Sequence, residues 1–156
     1  MPLISVIIPT HNRRELLLRA IDSVLKQTHE ELEIIVIDDA STDGTQSAVL
    51  DLHEERIQYV RLPEQSGACA ARNKGVDMAR GEYIAFHDSD DVFHPDKLEK
   101  QLQYLTDTDA DVGTRVTLFG DTPDQLAALS AYAKTIDYEL LCAVSARVTR
   151  EYRTTL

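Results

Sequence analysis

Four short apolar runs, Leu3–Pro9, Leu32–Asp38, Ile57–Leu62 and Tyr83–His87, are separated by segments whose apolar residues recur at helical spacing. The first run is apolar almost throughout, as expected of a strand buried on both faces, and Leu17, Ile21, Val24 and Leu25 then follow a helical stripe. Asp43-Gly44 opens a second helix reaching about Leu52, with Asp43 as its N-cap, and a third spans Gly67 to Ala79. Pro95 suits the first turn of a fourth, whose apolar face is Leu98, Leu102 and Leu105. This βαβα order predicts an α/β domain with a mostly parallel, doubly wound sheet. A chain of 156 residues, 43% of them hydrophobic, suffices for one such domain with a real core.

Ligands of such sheets sit at the carboxyl ends of the strands, and those ends are polar here. Strand one closes in Pro9-Thr10-His11-Asn12, strand two in Asp38-Asp39, and strand four in His87-Asp88-Ser89-Asp90-Asp91. Packed carboxylates repel one another and need a cation; a hard divalent ion supplies one and also binds phosphorylated ligands. On an extended chain Asp88 and Asp90 point the same way and can share one ion. A solvated acidic turn is the bland alternative, and it loses ground once three polar clusters converge on one rim. His87 and His94 flank the acids, where a lone histidine is usually structural.

The formal charge of −11 argues against a nucleic-acid partner, whose backbone is bound by a Lys/Arg surface. Cys69 and Cys142 lack metal-ligand spacing and read as packing residues of a reduced, cytoplasmic protein. No leader or membrane-spanning apolar run is visible, so membrane contact is expected to be peripheral, at the inner face, or through a partner. Two local patterns fail as alternatives. The stretch from Asp39 resembles a calcium loop, but its twelfth position is Leu50 instead of a bidentate Glu. Ser41-Thr-Asp43-Gly44-Thr45 approaches a phosphatase signature, yet Ser41 stands at the nucleophile position.

Together, Ser5-Val-Ile-Ile-Pro9-Thr-His-Asn12, Ile37-Asp-Asp-Ala-Ser-Thr-Asp-Gly44, Gly67–Gly75 with Ala71-Arg72-Asn73, and Gly81–Asp91 followed by Pro95-Asp96 resemble the donor half of family 2 inverting glycosyltransferases. The resemblance covers roughly residues 3–112. It implies a GT-A (Rossmann-like) three-layer αβα domain, a nucleotide-diphospho-sugar donor, most often a UDP-sugar, and Mn²⁺ or Mg²⁺. A saccharide or lipid-linked acceptor and a place in polysaccharide or cell-envelope biosynthesis follow from it too. Residues 1–112 would form the nucleotide-sugar-binding subdomain and 113–156 a shortened, helical acceptor side of the same domain, including a helix at Leu126–Lys134.

Carried over by position, Pro9, His11 and Asn12 would border the nucleobase, with His11 where the family often has Tyr. Asp39 would accept the imide N–H of the base, and Asp38 would orient the loop. Asp88 would face the ribose or the metal, Asp90 would ligate the metal, and Asp91 would support the following loop. Arg72 and Asn73 follow a small-residue stretch where backbone approaches ligand closely; Arg72 would reach a phosphate or brace the acids. Inverting transfer needs a base for the acceptor hydroxyl. Asp137 holds the place of that base, with Ile136 where the family has Glu, and it continues the stripe of Leu141, Val144 and Val148. A first-turn acid complementing the helix dipole is the competing reading of Asp137. Two rivals remain: a nucleotide-sugar-binding domain without catalysis, and a phosphohydrolase using Asp38 or Asp39 as nucleophile.

Overall fold

The computed structural model describes residues 1–107. Asp137, Cys142, the expected helix at Leu126–Lys134 and the proposed acceptor segment 113–156 lie outside the described residues. Strands β1 (Ile4–Thr10), β2 (Leu32–Asp38), β3 (Ile57–Arg61) and β4 (Tyr83–Phe86) alternate with helices α1 (Arg14–Leu25), α2 (Thr45–Leu50), α3 (Ala68–Met78) and α4 (Lys97–Asp107). The sheet is parallel in the order β3-β2-β1-β4. Ile4 pairs with Leu32 on one side and Tyr83 on the other, and the β1–β2 register runs to Thr10 opposite Asp38. The chain therefore winds outward from β1 to β3 and returns to the far side of β1. This reversal puts the topological switch point between β1 and β4, where α/β sheets open a crevice at their carboxyl ends.

Every residue of β1 and β2 is buried, which accounts for the apolar runs. One sheet face, with Ile4, Val6, Ile8, Ile34 and Val36, packs on Leu17, Ile21 and Val24 of α1, Val49 of α2 and Leu98 of α4. The other, with Ile7, Ile35, Ile37 and Ile84, packs on α3 around Ala71. Helices thus cover both faces, giving the expected three-layer αβα arrangement. Gly75 lets α3 lie directly on β1, because a Cβ there would come within 2.4 Å of the Ile7 side chain.

The element boundaries differ from expectation in two places. Pro95 lies in the turn before α4 and not in its first turn: Lys97 N–H bonds the His94 carbonyl at 3.0 Å, and the first helical bond runs from Lys100 to Asp96. α2 ends at Leu50, and His53 at φ +49° turns the chain toward β3.

At the opposite end of the sheet from the polar rim, Glu33 is a buried carboxylate, 3% exposed, that gathers donors from three segments. Its Oε1 accepts from the Ser5 hydroxyl at 2.6 Å and the Arg80 N–H at 2.8 Å; its Oε2 accepts from the Arg80 guanidinium and the Gln58 amide. Ser5 Oγ in turn accepts from Gly81 N–H, which fastens the entry of β4 to β1. Burial pushes the Glu33 carboxyl up, but the Ser5 and Arg80 hydrogen bonds and the Arg80 charge outweigh it and hold it below the ordinary 4.5. A depressed carboxyl contributes stability above its unfolded value and loses it as pH falls below. Glu33→Gln, which turns an NH₂ toward donors, is expected to cost about 1–3 kcal/mol at pH 7. In urea denaturation, wild type should approach the variant as pH drops below 4.5; a gap that stays constant would refute the assignment.

Candidate functional site

The carboxyl ends of β1 and β2 are tied together before any side chain of the rim is placed. Asp39 N–H donates to the Thr10 carbonyl at 2.8 Å, and Leu62 N–H to the Asp38 carbonyl at 2.7 Å. Asp38 is fully buried; its carboxylate accepts from Ser41 N–H at 2.8 Å and from the Tyr59 hydroxyl. It orients the loop after β2, as its place in the sequence suggests. Burial first, then the bond to Asp38, pushes the Tyr59 phenol above its usual range. Asp43 accepts from the Thr45 N–H and hydroxyl and, with its second oxygen, from Arg14 N–H at 3.0 Å. It therefore joins the starts of α1 and α2. Burial raises its carboxyl, yet the Thr45 and Arg14 bonds prevail and hold it below the ordinary range.

Asp39 reaches across to the next loop. Its two carboxylate oxygens accept from Ser66 N–H at 2.6 Å and Gly67 N–H at 2.9 Å. Gly67 has φ +89°, a conformation L side chains rarely adopt, so glycine lets the chain turn into α3 at this point. α3 then carries Arg72 to the rim, where its guanidinium bonds Asp88 at 2.6 Å. From the β1–α1 loop, Arg13 bonds Asp90 at 2.7 Å. His11 donates through Nδ1 to the Asp39 carbonyl at 2.6 Å. Asn12, at φ +50°, accepts from Thr42 N–H and donates its own N–H to the Ser41 hydroxyl, so its amide braces the neighbouring loop.

These residues enclose a cavity of about 380 Å³ at the β1/β4 switch point, lined by Pro9, Thr10, His11, Arg13, Asp39, Ala68, Ala71, Arg72, Asp88, Ser89 and Asp90. Six residues singled out from the sequence, Pro9, His11, Asp39, Arg72, Asp88 and Asp90, converge here. Asn12 and Asn73 do not line it, and Asp137 lies outside the described residues. Sequence reasoning missed Thr10 and Arg13. Thr10 lines the cavity and carries a buried hydroxyl with no hydrogen-bond partner among the described residues. Arg13 had a signal in the sequence: a cation directly after the polar end of strand one, in a chain of charge −11.

Behind the acids, His87 is buried against Phe93, with ring centroids 3.8 Å apart. Burial, then the Lys97 charge, lowers its imidazole to about 4, so it is neutral at pH 7 and serves packing. Lys97 lies 4.0 Å over the Phe93 ring, and burial pulls its ammonium down to about 8 against the attraction of Asp91. The Asp91 carboxyl is raised, first by partial withdrawal from water and then by the charges of Asp88 and Asp90.

Asp88 and Asp90 stand in the same cavity wall on one loop, where two carboxylates are available to a divalent cation. The donors are hard oxygens, as such a cation requires. Among the described residues no group of three His, Cys, Asp or Glu could close a cage by itself. The set therefore fits a cation that brings part of its coordination with the ligand, as one bound through one or two carboxylates plus substrate phosphates does.

A doubly wound parallel sheet with this rim at its switch point defines an α/β domain of the GT-A kind. The solved structures agree. The mannosyltransferase PcManGT of Pyrobaculum calidifontis, in complex with GDP-Man and Mn²⁺, superposes with a TM-score of 0.69 at 30% identity, over 75% of this chain and 36% of that one. S. aureus TarS 1-349 in complex with UDP-GlcNAc gives 0.66 at 29% identity, over 76% of this chain and 36% of that one. In sequence, the putative teichuronic acid biosynthesis glycosyltransferase TuaG of Bacillus subtilis is 42% identical over 149 residues, 86% of this chain and 59% of TuaG. The family model for glycosyl transferase family 2 matches residues 5–147, and the chain belongs to that family. It spans little more than half the length of TuaG and about a third of the two solved chains.

Membership and geometry together leave the phosphohydrolase reading without support, since Asp38 is buried under Ser41 and Tyr59 and Asp39 is engaged by two amides. Replacing Asp39 by Ala removes the acceptor of the Ser66 and Gly67 amides. Hydrogen exchange at those two amides is expected to accelerate about ten- to a hundredfold, the equivalent of about 1–3 kcal/mol. Unchanged exchange there would mean that the β3–α3 loop is held by other contacts.

Proposed function

We propose that this chain is the donor-binding part of a glycosyltransferase that moves a sugar from a nucleotide-diphospho-sugar, with a UDP-sugar as the first candidate, to an acceptor hydroxyl with inversion. The observation that carries this reading is the cavity at the β1/β4 switch point, in which two acids and two arginines face each other from three different elements. Pro9 and His11 form the wall for the nucleobase, and His11 is already fixed by its bond to the Asp39 carbonyl. Asp39 reads the base: each carboxylate oxygen has a second lone-pair site beyond the amide it holds, so it can accept an imide N–H without releasing the loop.

Asp90 and Asp88 would hold Mn²⁺ or Mg²⁺, and Arg72 is within reach of the same region through Asp88. When bound, such a cation stabilises the charge of the departing diphosphate. Asp137 is the proposed base for the acceptor hydroxyl, which is a saccharide or a lipid-linked saccharide. No helix among the described residues is long and apolar enough to cross a membrane, so encounter with a lipid-linked acceptor through this part of the chain would be peripheral. GDP-Man in PcManGT and UDP-GlcNAc in TarS support a nucleotide-sugar donor while differing in base and sugar.

Calorimetric titration with UDP and GDP, in Mn²⁺ and in chelator, tests the reading. A nucleoside diphosphate should bind in Mn²⁺ and bind far more weakly in chelator, because a protein of charge −11 repels a diphosphate. Asp90→Asn should remove most of the metal-dependent gain. Equal affinity in chelator and in Mn²⁺ would sink the proposal. In the same series, Asp137→Asn should leave nucleotide affinity nearly constant and lower transfer steeply, since a misplaced or missing base acts on rate and not on donor binding. Transfer indifferent to that change would place the base elsewhere, and binding with no transfer in wild type would favour the non-catalytic reading.

A further inference from the structure

The donor reading leaves one charged side chain of the cavity, Arg13, without a role. Arg13 sits at the N-cap of α1, where its carbonyl accepts the Leu17 N–H at 2.9 Å, so its backbone is fixed. Its side chain makes no capping bond and is 49% exposed; it crosses the cavity to Asp90, 46% exposed, with one N–H at 2.7 Å from Oδ2. That contact uses one of the five guanidinium donors. Asp90 is also the carboxylate assigned to the divalent cation. Two cations of different origin thus have a claim on the same oxygen atoms, and both cannot hold them at full strength.

The charge balance indicates where the arginine goes. The cavity wall carries three carboxylates, Asp39, Asp88 and Asp90, against two guanidiniums, Arg13 and Arg72. A divalent cation on Asp90 and Asp88 removes the need for both arginines at the acids, while the diphosphate that accompanies it introduces new negative charge on the open side. Guanidinium matches phosphate oxygens in geometry as well as it matches carboxylate. We propose that Arg13 is an exchangeable cation: it competes with the divalent ion for Asp90, and on losing that carboxylate it takes the diphosphate of the donor. This rests on the donor reading. The competing account is that Arg13 is only a clip holding the start of α1 to the β4–α4 loop.

The two accounts differ in sign. Mn²⁺ affinity without nucleotide, read from the paramagnetic resonance of the free ion, and UDP affinity at saturating Mn²⁺, read by calorimetry, are compared in wild type, R13Q, R14Q and D90N at one ionic strength. Arg14 pairs with Glu15 and does not line the cavity, so R14Q reports the effect of losing one positive charge in the neighbourhood. Exchange requires R13Q to bind Mn²⁺ about two- to fivefold more tightly than wild type, the range of a half-exposed ion pair. The same variant should bind UDP about tenfold more weakly, as for a lost charge-assisted hydrogen bond. R14Q should change neither by as much. R13Q weakening both ligands, or matching R14Q in both, overturns the exchange while leaving the donor reading intact. Failure of wild type to bind UDP in Mn²⁺, with D90N no different, overturns both.

Discussion

The site depends on β1 having no free side. It is hydrogen-bonded to β2 and β4, covered by α1 on one face and by α3 on the other, and all seven of its residues are buried. A strand so enclosed cannot slip by one residue without moving Ile7 out from under Gly75 and Val6 out of the opposite core, because adjacent side chains occupy opposite faces. Its register is therefore fixed by packing, and with it the place where Pro9 to Arg13 leave the sheet. The Glu33 cluster at one end and the Asp39 N–H bond to Thr10 at the other extend this fixation to β2 and to the entry of β4.

Opposite charges at the rim then sort themselves by element. The acids at Asp88, Asp90 and Asp91 share one loop, and the charges of Asp88 and Asp90 add to partial burial in raising the Asp91 carboxyl. The arginines that answer Asp88 and Asp90 come from two other elements, so each ion pair is also a link between segments distant in sequence. Both pairs are partly exposed, and pairs of that kind contribute little to stability. Their value lies in placement: they hold the acids at the mouth of the cavity with cations that other cations or anions can displace.

Much of this was legible in the sequence because buried parallel strands leave a strong mark. The runs at Leu3–Pro9 and Leu32–Asp38 match β1 and β2 to within a residue at each end, and their ends, with the polar end of strand four and the small-residue stretch before Arg72, gave six of the residues that line the cavity. What escaped was set by side-chain reach. Arg13 looks like any helix-start arginine until Asp90, far along the chain, is brought opposite it. Asn12 sits in the right motif, but at positive φ its backbone N–H goes to the Ser41 hydroxyl and its side-chain oxygen accepts from Thr42 N–H. Pro95 favoured a first-turn position by propensity, and the His94–Lys97 turn overrode it. Roles that require a ligand or residues beyond 107 rest on the family resemblance and not on contacts.

The segment after the acids is stitched to the last turn of α1 and the residues that follow it. Phe93 N–H donates to the Ser23 hydroxyl, Gln27 bonds both the His94 carbonyl and the Leu98 N–H, and Thr28 holds Pro95 and Glu99. The conformational entropy of this stretch is consequently lost when the chain folds and not when a ligand arrives. Association at the rim then involves side-chain rotation on a loop whose downstream anchor is already set, so the ordering it requires falls on side chains and not on the backbone.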